Sequence, residues 1–362
     1  MFESLSSLLR ASQRPARLCV IFSLLFLFSF SARAQESTII RLESQTWPTS
    51  SAPAHQRPQN DYHQHLLSPA VAKLTNRPKP FLATDLIPLL DAAGIQHALI
   101  LSLAYQFGNP NRPPVNDEYT FVKAENDWTA DQVSAFPRRL AAACGVDPLR
   151  DYAVTEIQRC SLNPFLRSAI KLHFGNSDVD LDNPAHIQKL QRVFREANAH
   201  GMVIIVHLHA NVNNRRPYGK REAEAFLTQV LPAAPDVAIQ IAHLAGSGGF
   251  DDPATRAALQ GFIDAITRHD TRVSHLCFDI SGVAGLGDWT NKKDLIVAAI
   301  RSVGVTRILF GSDGAWTDFT PSKAISAFRE LPLTEQEFQA INSNVPPYLT
   351  VWAEGPGPKP PF

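Results

Sequence analysis

The sequence predicts an α/β protein, a (β/α)8 barrel formed as a single domain over residues 61–350. Three observations carry this. Eight strand-like segments alternate with helical patterns from Asp61 onward. Most of these segments are continuous apolar runs, as expected of parallel strands buried on both faces. No Gly-x-Gly-x-x-Gly follows the early strands, which argues against an open dinucleotide-binding sheet. A chain of 362 residues is long enough for one large domain that buries about three quarters of its unfolded surface.

The first strand is the extended segment at Asp61. Thr84 and Asp85, then Leu86, Leu89, Leu90 and Ala93 with Gly94 behind them, supply the cap, spacing and stop of an amphipathic helix. His97 to Ala104 reads as a strand, and the Pro/Asn/Arg-rich stretch from Gln106 to Asp117 as a long loop of the kind that is usually functional. Leu140 to Val146 is the next strand, Asp147 and Pro148 open a helix to about Cys160, and Ala169 to Phe174 follows as a strand. Asn183 to His200 is the cleanest helix: Asn183 caps, Pro184 takes the first turn, Ile187, Leu190, Phe194 and Ala197 recur at helical spacing, and Gly201 stops it. Strands at Met202–Leu208, Val237–His243, His275–Ile280 and Arg307–Gly311 then alternate with helices at Arg221–Leu231, Pro253–Arg268 and Asn291–Val303. Two helices end the barrel, the second opened by a Thr334 to Glu337 capping box.

Outside the barrel, Arg10, Arg14 and Arg17 precede an apolar run from Leu18 to Phe30, and Ala32-Arg33-Ala34 offers a cleavage site. Residues 1–34 therefore read as a signal peptide, so the protein is expected to be exported, periplasmic or secreted, and to have no membrane partner once the leader is cleaved. Residues 35–60 read as a flexible arm and 351–362 as a Pro/Gly-rich tail. Lys plus Arg and Asp plus Glu balance at 34 each, with no basic run, which excludes the electrostatic footprint of a nucleic-acid binder and favours a small-molecule substrate. The mature chain keeps Cys144, Cys160 and Cys277; two of them lie in apolar strands, and all three are expected as thiols.

Chemistry collects at the C-terminal ends of the strands, which converge on one mouth in a barrel. His63 and His65 share a face of the first strand because facing repeats every two residues. The fourth strand ends in Lys171, the fifth in His207, the sixth in His243 and the eighth in Asp313. Buried charges and imidazoles are costly unless paired or metal-bound, so such a convergence points to a shared ion. Three imidazoles and a carboxylate suit a divalent ion, zinc first and manganese as the alternative, with a position left for water.

This ordered set, His63-x-His65, His207, His243 and Asp313, resembles the amidohydrolase superfamily and within it the amidohydrolase-related (amidohydrolase 2) family, from Asp61 to about Leu349. The resemblance implies that His63, His65, His207 and Asp313 hold the ion, that His243 orients the attacking water, and that Asp313 acts as general base and then acid. It implies a hydrolase that cleaves a C–N or C–O bond by a metal-bound hydroxide; the alternatives are a non-oxidative decarboxylase on the same ligands, or a non-catalytic binding barrel. Lys171, in Ala-Ile-Lys-Leu-His, resembles the carbamylated lysine that bridges two metals in dihydroorotase-like relatives. With a single ion it is instead a substrate or water contact, and with two His243 becomes a ligand of the second. Dimers are common in the family, which makes a homodimer the expected state.

Other readings stay open at this point. His173 and His209 share the facing of Lys171 and His207, so either is a ligand or lines the mouth. Asp279 on the seventh strand is a site residue or a structural partner. Arg112, Arg215, Arg216 and Tyr218 fall in loops that overhang the mouth, where they bind a substrate carboxylate or make surface contacts. Trp289 and Trp316 wall the pocket or pack.

Overall fold

The computed structural model describes residues 57–210, 216–314 and 319–344. The expected leader, the expected arm up to residue 56, Arg215, Trp316 and the expected tail lie outside them. Eight parallel strands form one sheet in sequence order: β1 (Asn60–Gln64), β2 (His97–Leu101), β3 (Leu140–Gly145), β4 (Ala169–His173), β5 (Val203–His207), β6 (Ile239–Ile241), β7 (Leu276–Asp279) and β8 (Ile308–Leu309). Tyr62 N–H donates to Phe310 C=O at 2.9 Å and Asp313 N–H to His63 C=O at 2.8 Å, which brings the last strand back to the first. The fold is the (β/α)8 barrel that the alternation predicts.

The helices are α1 (Pro69–Leu74), α2 (Ala83–Ala93), α3 (Glu118–Ser134), α4 (Ala153–Ser161), α5 (Pro184–Ala199), α6 (Lys220–Ala225), α7 (Pro253–Thr267), α8 (Lys293–Val303), α9 (Pro321–Arg329) and α10 (Glu335–Ser343). Asn183 caps α5 by accepting from Ala185 N–H, Gly94 ends α2 in the left-handed region at φ 75°, and the Thr334–Glu337 box opens α10. The local signals in the sequence thus set these ends.

Strand parity divides the core in two. Ala98, Ile100, Ala142, Ile170, Leu172, Ile204 and Val206 pack against the helices, while Leu99, Leu101, Ala141, Ala143, Ala169, Val203 and Ile205 fill the barrel. The inner parity continues at the strand ends through Lys171, His173, His207 and Asp279. Hydrophobic packing fills the bottom of the barrel, and the polar residues of the same rows rise into the mouth.

Several expectations need correction. The strand from His97 stops at Leu101, and Ala104–Gly108 forms a 3-10 turn that takes up the start of the expected loop. The helix expected from Asp147 begins only at Ala153, and α6 passes into a π-helical turn at Phe226–Val230. Helix α3 has no counterpart in the sequence reading: it buries Glu125, Asn126 and Thr129 beside Val122, Ala130 and Val133, so its inner face carries no clean apolar period. Two of the three expected thiols are oxidised, because Cys144 and Cys160 form a disulfide. Cys144 follows the outward row of β3 and Cys160 sits on the buried face of α4, which sets their Cα atoms 6.2 Å apart, within disulfide reach. Cys277 is a buried free thiol.

Candidate metal centre

Asp61, two residues before His63, is fully buried and fastens β1 to the segment after β8. Its carboxylate accepts from His63 N–H at 3.1 Å, Ser312 N–H at 3.0 Å and the Ser312 hydroxyl at 2.5 Å. Gln64 adds a further bond at 3.1 Å. Burial pushes the Asp61 pKa up to about 6 against these donors. The first-strand histidines and Asp313 are thereby held in one frame.

Each ring is oriented through its Nδ1. His63 Nδ1 lies 3.0 Å from Asp279 Oδ2, and His65 Nδ1 lies 2.6 Å from the Leu101 carbonyl, which can only accept. His243 Nδ1 lies 2.7 Å from the Ser281 carbonyl. With the Nδ1 protons directed outward, a ring in its neutral form carries its lone pair on Nε2. Burial, then Lys171, lowers the pKa of His63; burial, then His63 and Lys171, takes that of His65 well below the ordinary imidazole range. Both rings are thereby biased toward the neutral form.

Those Nε2 atoms face a carboxylate. Asp313 Oδ1 lies 3.5 Å from His65 Nε2 and 3.8 Å from His63 Nε2, and Asp313 Oδ2 lies 4.0 Å from His243 Nε2. Asp313 Oδ1 is buried and, among the described residues, has no hydrogen-bond partner. Lone pairs converging on an unpartnered carboxylate oxygen repel one another unless a cation lies between them, so the donor set fits a divalent ion. His207 stands one ring further out, 5.0 Å from His243 between centroids, and stacks on His173.

The sixth-strand histidine reaches its place by an uncommon route. β6 ends at Ile241, and His243, Leu244 and Ala245 all adopt left-handed backbone, at φ 55°, 50° and 66°. That turn brings His243 N–H to Asp279 Oδ1 at 3.1 Å and directs the imidazole toward Asp313. Asp313 is likewise left-handed, at φ 52°. Strain of this kind persists where surrounding bonds over-determine it.

Asp279 resolves as an orienting partner: besides His63 and His243 it accepts from Gln240 Nε2 at 2.7 Å and the Ser281 hydroxyl at 2.5 Å. Burial raises its pKa, but His63 and these hydrogen bonds outweigh that and hold it well below the carboxylate range. Gln240 and Ser281 escape the sequence reading; the one usable signal is a glutamine at inward parity in an otherwise apolar strand. Lys171 is buried with Nζ 3.4 Å from His63 Nε2, and burial brings its pKa down to about 8. His209 turns away to Asp252, 3.1 Å distant, and packs on Tyr218 with ring centroids 4.4 Å apart. Tyr218 is buried and donates to the Ala245 carbonyl at 2.5 Å. Arg112 donates to Leu74 C=O and Gln106 Oε1, and Arg216 is held by Asp178 and Asp180. Trp289 packs, half-buried, against the core between strands and helices.

None of the curated proteins matches the sequence. Among solved structures, the chain is similar to the 5-carboxyvanillate decarboxylase of Sphingomonas paucimobilis, at 15% identity and TM-score 0.54 over 80% of this chain and 97% of that one. It is also similar to a probable 2-pyrone-4,6-dicarboxylic acid hydrolase of Acinetobacter baumannii, at 17% identity and TM-score 0.51 over 78% and 96%. An amidohydrolase of Burkholderia multivorans with bound zinc matches at 15% identity and TM-score 0.52 over 79% and 96%. At these identities the likeness establishes the barrel and nothing finer. The amidohydrolase model of the amidohydrolase 2 family matches residues 60–344, and the chain belongs to that family of metal-dependent barrel enzymes.

Proposed function

We propose that the protein is an exported hydrolase that cleaves a C–N or C–O bond of a small molecule. His63, His65, His207 and Asp313 would hold a divalent ion, zinc by the nitrogen-rich donor set, with manganese as the alternative. When bound, such an ion supplies Lewis acidity and ionises water near neutral pH. His243, fixed by Ser281 and Asp279, offers the Nε2 lone pair that orients the attacking water. Asp313 takes the water's proton as the new C–O bond forms and returns it to the departing nitrogen or oxygen. The observation that carries the reading is the buried Asp313 Oδ1, unpartnered among the described residues, facing imidazole lone pairs.

Among the described residues the arginines give the alternative, decarboxylation, no support of their own. A decarboxylase has to fix a carboxylate beside the ion, whereas Arg112 and Arg216 direct donors to Leu74, Gln106, Asp178 and Asp180. The first test is elemental analysis of protein purified without added metal or chelator. About one equivalent of zinc or manganese is expected for a single ion, with Lys171 as a substrate or water contact, and about two would assign Lys171 as a carbamate. His207→Ala should lose the metal, while Asp313→Asn should retain most of it and lose turnover. Metal-free protein that no divalent ion reconstitutes would overturn the proposal, and release of CO2 from aromatic carboxylates would replace hydrolysis by decarboxylation.

A further inference from the structure

Beside the ion-holding residues stands an imidazole that the proposed chemistry leaves unused. His173 ends β4, in register with His207 of β5, and the two rings stack with centroids 3.8 Å apart and planes at 12°. Tyr105 flanks the same ring at 5.3 Å. The ring is therefore fixed in the wall of the mouth, directly against His207, one of the residues proposed to hold the ion.

Its protonation pattern is fixed as well. Asn176 N–H donates to His173 Nδ1 at 3.2 Å. A backbone N–H can only donate, so Nδ1 carries the lone pair and Nε2 carries the proton. Nε2 is consequently a donor, which makes it a poor ion ligand. Among the described residues no hydrogen bond or ion pair takes the Nε2 proton. Lys171, two residues earlier on the same face of β4, places a second donor on this wall.

We propose that His173 binds the substrate, donating from Nε2 to an oxygen that bears no hydrogen, a carboxylate or a carbonyl, beside the ion site. The inference rests on the reading of that site as a divalent-ion centre. Two donors on one wall complement such an oxygen, and a substrate amine would meet them donor to donor. His173 thereby becomes a determinant of specificity, and His207 remains the fifth-strand candidate for the ion.

The test uses the zinc-loaded mature chain labelled with 15N in its histidine rings, titrated with acetate as a carboxylate probe and N-methylacetamide as a carbonyl probe. His173 is expected as the Nε2–H tautomer with and without zinc, and one probe should shift that signal; which one does so identifies the oxygen. His173→Phe keeps a stacked ring, and should leave zinc content unchanged while weakening that probe about tenfold, the loss of one hydrogen bond to a bound oxygen. His173→Gln, which restores a donor, should recover most of the affinity. Loss of the Nε2 proton on zinc loading, or zinc loss in His173→Phe, would make His173 a ligand and overturn the proposal, as would indifference of the signal to both probes. If the parent chain binds no zinc, the function reading fails by itself, and the tautomer and probe contact are still read on the zinc-free protein.

Discussion

Replacing Asp279 by Asn preserves the shape of the side chain and removes the charge that receives the Nδ1 proton of His63 at 3.0 Å. The amide can also turn its NH2 toward the ring, which would force the opposite tautomer and aim a proton at the ion site. Partners of this kind tune ligands without touching the ion, and their loss typically costs about 10–100-fold in metal affinity. Asp279→Asn should show a loss of that size in chelator competition for zinc; an unchanged affinity would mean that Asp279 does not orient His63. The histidines themselves are legible in the sequence because facing repeats every two residues, a local fact. The bond between His63 and Asp279 spans 216 positions, so the sequence shows an aspartate at the right address and nothing of its partner. The same limit leaves His173, His207 and His209 interchangeable on spacing. What separates them is contact that spacing does not show: Asp252 draws His209 aside, and Asn176 N–H fixes the proton of His173.

At the scale of elements, the sequence shows whatever local chemistry dictates: the caps of α5 and α10, the glycine stop of α2, and the apolar strands. Structure set by tertiary contact stays hidden. The inner face of α3 is partly polar because Glu125 answers to Ser68, which caps α1. The Ser68 hydroxyl accepts from Val71 N–H at 3.0 Å and donates to Glu125 Oε2 at 2.5 Å. Burial pushes the Glu125 pKa up to about 7 in spite of that bond. The native state thus holds the proton more tightly than the unfolded chain, and the stability this contributes is full below the unfolded value and lost as pH rises through about 7. Glu125→Gln keeps the acceptor and removes the charge. Its stability relative to the parent should therefore grow from about pH 4 to about pH 8, by up to about 3 kcal/mol in urea unfolding; a gap independent of pH would show that Glu125 titrates normally. The disulfide is hidden for a related reason, since only the packing of α4 on β3 brings Cys160 to Cys144. The bridge closes a separation of 16 residues, and a loop of that size is worth about 3 kcal/mol. The double variant Cys144→Ala, Cys160→Ala should lose about that much stability. Thiol titration of the denatured mature chain should find Cys277 alone reactive, and three reactive thiols would remove the bridge.

For the molecule as a whole, the proposed ion site is a cost that the apolar rows beneath it carry. Neutral imidazoles and a carboxylate are gathered into a buried mouth with their lone pairs facing inward, and a cation turns that repulsion into attraction. The unfolded chain gathers no such set, so an ion that binds the folded barrel stabilises it by mass action, about 2.7 kcal/mol at a free concentration of about 100 times the dissociation constant. For a domain of this size that corresponds to a rise in Tm of about 5 °C. Chelated protein reloaded with zinc should show this rise in a thermal scan, and manganese a smaller one. On the proposed ligand set, which includes His207, the rise should vanish in His207→Ala, while the apolar rows that fill the barrel leave the metal-free Tm near that of the parent. In Asp279→Asn it should survive at higher zinc, displaced by the loss of affinity alone. A parent chain whose Tm is indifferent to zinc and manganese would show that the converging lone pairs are satisfied by something other than an ion. A His207→Ala variant that responds as the parent does would leave His63, His65 and Asp313 holding the ion without the fifth strand.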